Sequence, residues 1–195
     1  MSGHSKLSPS QRYRWALCPG SVRESAKIPE RPSSAAAIDG THGHSLLEQA
    51  IKTEMPASFF VGQELVDHEG KFVVVKDQAE RVQFALDYIA SRVASNPGAE
   101  VIAEERVDPA YLVGRDDLSG TVDVQIIGST GIEIIDLKMG INKVEAKDNP
   151  QLEQYGLGII AKYMAMGRFF ETDHRAAEGA GTRGQRHQHP LHHRG

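Results

Sequence analysis

Asp123, Asp136 and Lys138 are the residues whose types and spacing most invite chemistry. Two β-rich runs, 121–127 and 132–138, flank Gly128-Ser129-Thr130-Gly131, a hairpin signal. A hairpin symmetric about the Ser129–Thr130 bond places Asp123 directly opposite Asp136, with Cβ atoms about 4.5–5.5 Å apart on one face. Lys138 lies two residues on and shares that face. Facing carboxylates repel, so the pair implies a compensating cation, and hard oxygen ligands suit Mg²⁺ or Mn²⁺. The spacing is equally compatible with an exposed hairpin on which Asp136 and Lys138 are a surface ion pair. The opposite face, Val122, Val124 and Ile126 against Ile135 and Leu137, reads as core.

Elements on either side must position that hairpin. A strand is expected over 100–107. A helix is expected near Thr41 as N-cap, carrying Leu47, Ala50 and Ile51 on one face and His44 and Glu48 one turn apart on another. Asp77-Gln-Ala-Glu80 reads as a capping-box variant opening a second helix. Val82, Ala85, Leu86, Ile89 and Val93 give that helix its apolar face, and Asn96-Pro97-Gly98 stops it. A last helix is expected with Asn149 as N-cap and Pro150 at its first position, packing through Leu152, Gly156, Ile159, Ile160 and Tyr163. Pro29 to Ser34 read as a loop.

Gly120-Thr121-Val122-Asp123, then Asp136-Leu137-Lys138, then Gln151-x-x-x-Tyr155, with Gly40-Thr-His-Gly-His44-Ser-Leu-Leu-Glu48 upstream, resembles the RecB-type branch of the PD-(D/E)XK nuclease superfamily. The opening, from Ser8-Pro-Ser through Trp15-Ala-Leu-Cys18-Pro19, is similar to an uncharacterised, largely phage-encoded group within that branch. The resemblance covers about residues 1–168. It implies an α/β, restriction-endonuclease-like core, a central mixed β-sheet with the hairpin 121–138 flanked by helices.

The resemblance also implies roles. Asp123 and Asp136 would be metal ligands, His44 a third and the Leu137 carbonyl a fourth. Lys138 would orient or deprotonate the attacking water and steady the phosphate. Gln151 and Tyr155 would position the nucleic-acid strand or shore up the site, and Glu48 and Glu104 are lesser candidates. The implied activity is Mg²⁺- or Mn²⁺-dependent hydrolysis of DNA phosphodiester bonds in phage or prophage replication, recombination or processing, exonucleolytic rather than endonucleolytic. The alternative is a catalytically inactive DNA-binding or recombination accessory module of the same fold. The implied partners are DNA and phage recombination or replication proteins. With no P-loop signature, helicase or ATPase activity would come from a partner. The superfamily core normally continues past the Gln-x-x-x-Tyr helix with another strand, where this chain departs from the pattern.

Composition sets the outer bounds. The 195 residues fit one domain, and 22 basic against 26 acidic side chains, net −4, exclude a globally basic nucleic-acid binder while leaving room for a local basic groove. The single cysteine, Cys18, excludes an internal disulfide, and no iron–sulfur cluster is expected; a small buried thiol is. No apolar run is long enough to span a bilayer and no signal-peptide core opens the chain, so the expected location is the cytoplasm, with no membrane partner; the resemblance to a phage-encoded group implies that of a bacterial host cell.

Other residues read blandly. His42 is expected at a solvated helix start, His68 on the surface, and Trp15 as a core or lid anchor. The domain is expected over 1–170. Residues 171–195 hold five of the nine histidines, one leucine and no valine, isoleucine, tyrosine or phenylalanine. Such a tail cannot offset its ordering entropy and is expected to be disordered. A metal-binding tail and an out-of-frame or cloning-derived end are the other readings of that composition.

Overall fold

The computed structural model describes residues 5–29, 32–129, 131–140 and 144–168. The expectations for the tail 171–195 and for the departure from the superfamily pattern after the last helix lie outside the described residues. A short 3₁₀ turn, Pro9–Gln11, leads into helices α1 (Arg12–Leu17) and α2 (Gly20–Ser25). Helix α3 (Ala35–Thr53) is followed by a 3₁₀ turn and the hairpin β1 (Glu64–Asp67)–β2 (Gly70–Val73). Then come α4 (Lys76–Ala94), β3 (Glu100–Val107), α5 (Ala110–Val113), β4 (Gly120–Ile127), β5 (Ile132–Ile135) and α6 (Pro150–Ala165).

The fold is α/β, and its main sheet has the order β3-β4-β5. Both of its pairs are antiparallel, so the parallel pairing that a mixed sheet requires is not found among the described residues. One apolar cluster joins α3, α4 and the β1–β2 hairpin to one side of the sheet through Leu46, Leu47, Phe72, Val82, Ile89, Val124, Ile126, Ile135 and Leu137. A second joins α6 to the sheet through Val107, Val122, Ile127, Tyr155, Ile159 and Tyr163. Val122 therefore does not pack with Val124 and Ile126, as strict alternation requires. The switch falls at Asp123 and its neighbour on β3, Glu104, whose φ of 51° puts it in the left-handed region.

Helix α3 starts well before Thr41. The Ser34 hydroxyl caps it by accepting from Ala37 N at 3.2 Å, and the three alanines that follow are the best helix formers available. Helix α4 has Val75, not Asp77, at its N-cap. Backbone bonds between Val74 and Gln63 and between Gly62 and Val74 keep the chain extended up to that point, while the Asp77 carboxylate turns to Arg81. Val82, Ala85 and Ile89 are buried on the expected face. Asn149 caps α6 by accepting from Gln151 N at 2.9 Å, with Pro150 in the first turn.

The β1–β2 hairpin has no counterpart in the sequence reading. Its turn is His68-Glu69, with Asp67 Oδ1 accepting from Glu69 N (2.8 Å) and Gly70 N (3.2 Å). No helix among the described residues is long and apolar enough to cross a membrane.

Candidate metal and phosphodiester site

The hairpin register pairs Val124 with Ile135, Gln125 with Ile134, Ile126 with Glu133 and Ile127 with Ile132. Continuing it brings Asp123 level with Asp136, but the ladder ends at Ile135, short of the expected Lys138. The reason is local: Asp123 Oδ2 accepts the Leu137 amide at 2.6 Å, so that donor is unavailable to a strand partner. Like charge on the two aspartates favours the same parting.

Two groups of side chains meet there. On one side are His44 from α3, Glu104 from β3 and Asp123 from β4. His44 Nδ1 lies 3.3 Å from Asp123 Oδ1 and 3.6 Å from Glu104 Oε1. One ligand atom from each of the three lies within 4.8 Å of the others. On the other side Asp136 Oδ2 is 2.5 Å from Lys138 Nζ, and Asp136 Oδ1 accepts from Gln151 Nε2 at 2.8 Å. Gln151 Nε2 also reaches the Tyr155 hydroxyl at 3.1 Å, and Lys138 Nζ donates to Gln151 Oε1 at 3.3 Å. Gln151 and Tyr155 are one turn apart on α6, so one helix face serves both contacts.

The electrostatics follow from burial. Burial raises the Asp136 pKa, the neighbouring Asp123 raises it further, and Lys138 opposes both, leaving it at about 6. Burial alone would lower the His44 pKa, but hydrogen bonding and attraction to Asp123 and Glu104 raise it to about 10. Burial pushes the Tyr155 phenol up, and the charges of Asp123, Asp136 and Glu104 add to this, so it stays protonated. Three carboxylates, Asp123, Asp136 and Glu104, face two cations, Lys138 and the protonated His44, so the set is short of positive charge, and a cation bound there would displace the His44 proton. A hard divalent cation fits that donor set.

Close packing fixes the frame. A Cβ on Gly120 would lie 2.5 Å from Pro9 Cγ and 3.0 Å from Tyr155 Cε1, so the bare backbone lets the N-terminal segment and α6 meet over β4. A Cβ on Gly43 would lie 2.7 Å from Met139 Cε, which places α3 against the chain just past Lys138. Gln154 Nε2 donates to the carbonyls of Leu7 (2.8 Å) and Leu118 (2.7 Å), pinning both segments to α6.

The structure thus brings together Asp123, Asp136, Lys138, His44, Gln151 and Tyr155. Leu137 contributes its amide to Asp123 and is itself buried. Glu104 stands in the ligand group itself, closer to His44 than its rank in the sequence reading implies. Glu48 is not brought in: its carboxylate is paired with Lys52 one turn along α3.

Three minor expectations are corrected or refined. Cys18 is exposed rather than buried, because α1 and α2 bury none of their residues. His42 is not solvated: Nδ1 sits 2.7 Å from Asp67 Oδ2, and the ring stacks on Phe72 at 3.9 Å. The β1–β2 hairpin supplies both partners, so a reading blind to that hairpin misplaces the histidine. Trp15 is half-buried, with Nε1 donating to Ser8 O at 3.0 Å, and His68 is exposed as expected.

Sequence reasoning also missed a cluster on the α6 side of the sheet. Gln125, fully buried, donates to Glu105 Oε2 at 3.0 Å, and Lys162 pairs with Glu105 Oε1 at 2.5 Å. A polar residue at an inward position of β4 was its one sequence signal.

No solved structure matches the chain. A family model described as "Protein of unknown function (DUF2800)" matches residues 4–172, and the chain belongs to that family.

Proposed function

We propose that the protein is a metal-dependent nuclease that hydrolyses DNA phosphodiester bonds, acting as an exonuclease with Mg²⁺ or Mn²⁺, in phage or prophage DNA replication, recombination or processing. The observation that carries this reading is the contact between the two groups at the end of the hairpin. A His44–Glu104–Asp123 ligand set, with Asp123 buried and the other two half-buried, abuts an aspartate whose carboxylate is shared by Lys138 and Gln151. Surface ion pairs do not need three elements and a half-buried glutamine to hold them.

His44, Glu104 and Asp123 would hold the cation, with Asp136 facing it from across the hairpin. A divalent cation held there supplies an acidified water and polarises the scissile phosphoryl oxygen. The chain's own residues do the rest. Lys138 places a positive charge beside the attacked phosphate, where negative charge grows in the transition state. Asp136 keeps the Lys138 ammonium aimed, and Gln151 fixes Asp136 by donating to it. The Tyr155 hydroxyl, held protonated, supports Gln151 from the next turn. Partial burial of this set limits competing water and strengthens each interaction.

The test is incubation of the purified chain with linear and circular DNA in Mg²⁺ or Mn²⁺, beside Asp136→Ala and Lys138→Ala. Cleavage of linear DNA by the unaltered chain, lost in both variants, is the expected result. Cleavage of circles as well would replace the exonuclease assignment with an endonuclease one. DNA binding without cleavage under any metal condition would overturn the enzyme reading in favour of an accessory module.

A further inference from the structure

The charge of this acidic chain is unevenly spread. Residues 5–29 carry Lys6, Arg12, Arg14, Arg23 and Lys27 against one acidic residue, Glu24, in a protein of net charge −4. Arg23 and Lys27 share that single carboxylate. Helices α1 and α2 bury none of their residues. Tyr13 is 73% exposed and Leu17, one turn on, is 72% exposed. The pair is anchored through Arg12, which donates to Pro150 O at 2.8 Å and pairs with Glu153 at 3.1 Å. Pro150 immediately precedes Gln151, so this basic segment adjoins the edge of the site at the start of α1.

An exposed aromatic ring flanked in sequence by arginines, in a segment where cations outnumber anions, has the chemistry that holds a single polynucleotide strand. Guanidinium groups track the phosphates, and rings stack on bases whatever the sequence. A rigid duplex keeps its bases stacked on one another and offers the tyrosine nothing comparable. We infer that α1 and α2 form a landing surface for single-stranded DNA that leads a strand end towards Asp136 and Lys138. The inference deepens the nuclease reading and rests on it for its direction, while binding itself is separable from cleavage.

The test is fluorescence anisotropy of labelled oligothymidylate with the full chain in chelator, so that no cleavage intervenes. The variants are Tyr13→Ala and the double reversal Arg14→Glu with Arg23→Glu; all three side chains are exposed. Each is expected to weaken binding about tenfold. A matched reversal, Lys71→Glu with Lys76→Glu, on the remote β1–β2 and α4 surface, should leave Kd unchanged. Added salt should weaken the unaltered chain more than the double reversal.

The inference falls if the unaltered chain does not bind the oligonucleotide or if the α1–α2 variants bind like it. It also falls if the remote reversal is as damaging, which would make net charge the cause, or if blunt duplex binds as tightly as the single strand. Variants with weakened binding and an unaltered chain that never cleaves would sink the nuclease reading and keep this surface. Cleavage with unaffected binding would do the reverse.

Discussion

Replacing Asp136 by asparagine should make the metal-free protein more stable while abolishing cleavage. In the folded protein the carboxyl is raised from its ordinary 3.8 to about 6, so at neutral pH the fold holds an anion it would rather have protonated. At 1.36 kcal/mol per decade of proton affinity, that rise corresponds to roughly 3 kcal/mol of destabilisation. Asparagine removes the charge and can keep the bond from Gln151, but it sets an amide donor against the Lys138 ammonium, so a net gain of about 1–2 kcal/mol is expected. For a domain of this size that is a rise of about 2–8 °C in Tm. The assay is thermal unfolding in chelator across pH, with and without Mn²⁺. The sign is definite: a carboxyl with a raised folded pKa destabilises fully above about 6 and not at all below 3.8, so the gap between variant and unaltered chain should close as pH falls through that window. Mn²⁺ should raise the Tm of the unaltered chain more than that of the variant. An Asp136→Asn protein that is less stable than the unaltered chain at neutral pH in chelator, or a gap that ignores pH, would refute the argument that unrelieved negative charge is stored at this site.

Three further outcomes are expected. Gly120→Ala drives a methyl into Pro9 and the Tyr155 ring, so urea unfolding should show a loss of about 1–3 kcal/mol; Gly43→Ala meets the unbranched Met139 side chain, which can shift, and should be milder. His44, raised to about 10, stabilises the metal-free fold fully below its ordinary 6.5, and that contribution is lost as pH rises through about 10, so His44→Ala should flatten the alkaline side of the stability profile. Glu104→Gly relieves a left-handed non-glycine backbone and should be more stable than Glu104→Gln by about 1 kcal/mol in chelator, while both lose most of the Mn²⁺-induced rise in Tm.

What could be read from the chain was whatever depends on local periodicity. The turn at Gly128–Gly131 sets the register, and the register puts Asp123 and Asp136 level without any knowledge of the rest of the fold. Asn149-Pro150 likewise announces α6, and with it the spacing of Gln151 and Tyr155. The unread parts depend on partners distant in sequence or on backbone freedom. Nothing in the run around Glu104 signals a positive φ, yet that torsion accompanies the switch of Val122 to the second apolar cluster. His42 could not be placed while the hairpin that supplies Asp67 and Phe72 went unseen, because β1 and β2 are only four residues each. Thr41 misled because a good capping residue lies inside a helix that Ser34 had already begun.

The bonds from Gln154 to Leu7 and Leu118 bear on the order in which the protein matures during synthesis. The aspartates of the hairpin emerge from the ribosome before α6 does, and local strand pairing can form at once. Gln151, which holds Asp136, and Gln154, which draws the start of the chain across the sheet, arrive later on one helix. A half-made chain therefore displays its carboxylates without the element that organises them, and the site closes in a late step that recruits the earliest residues described.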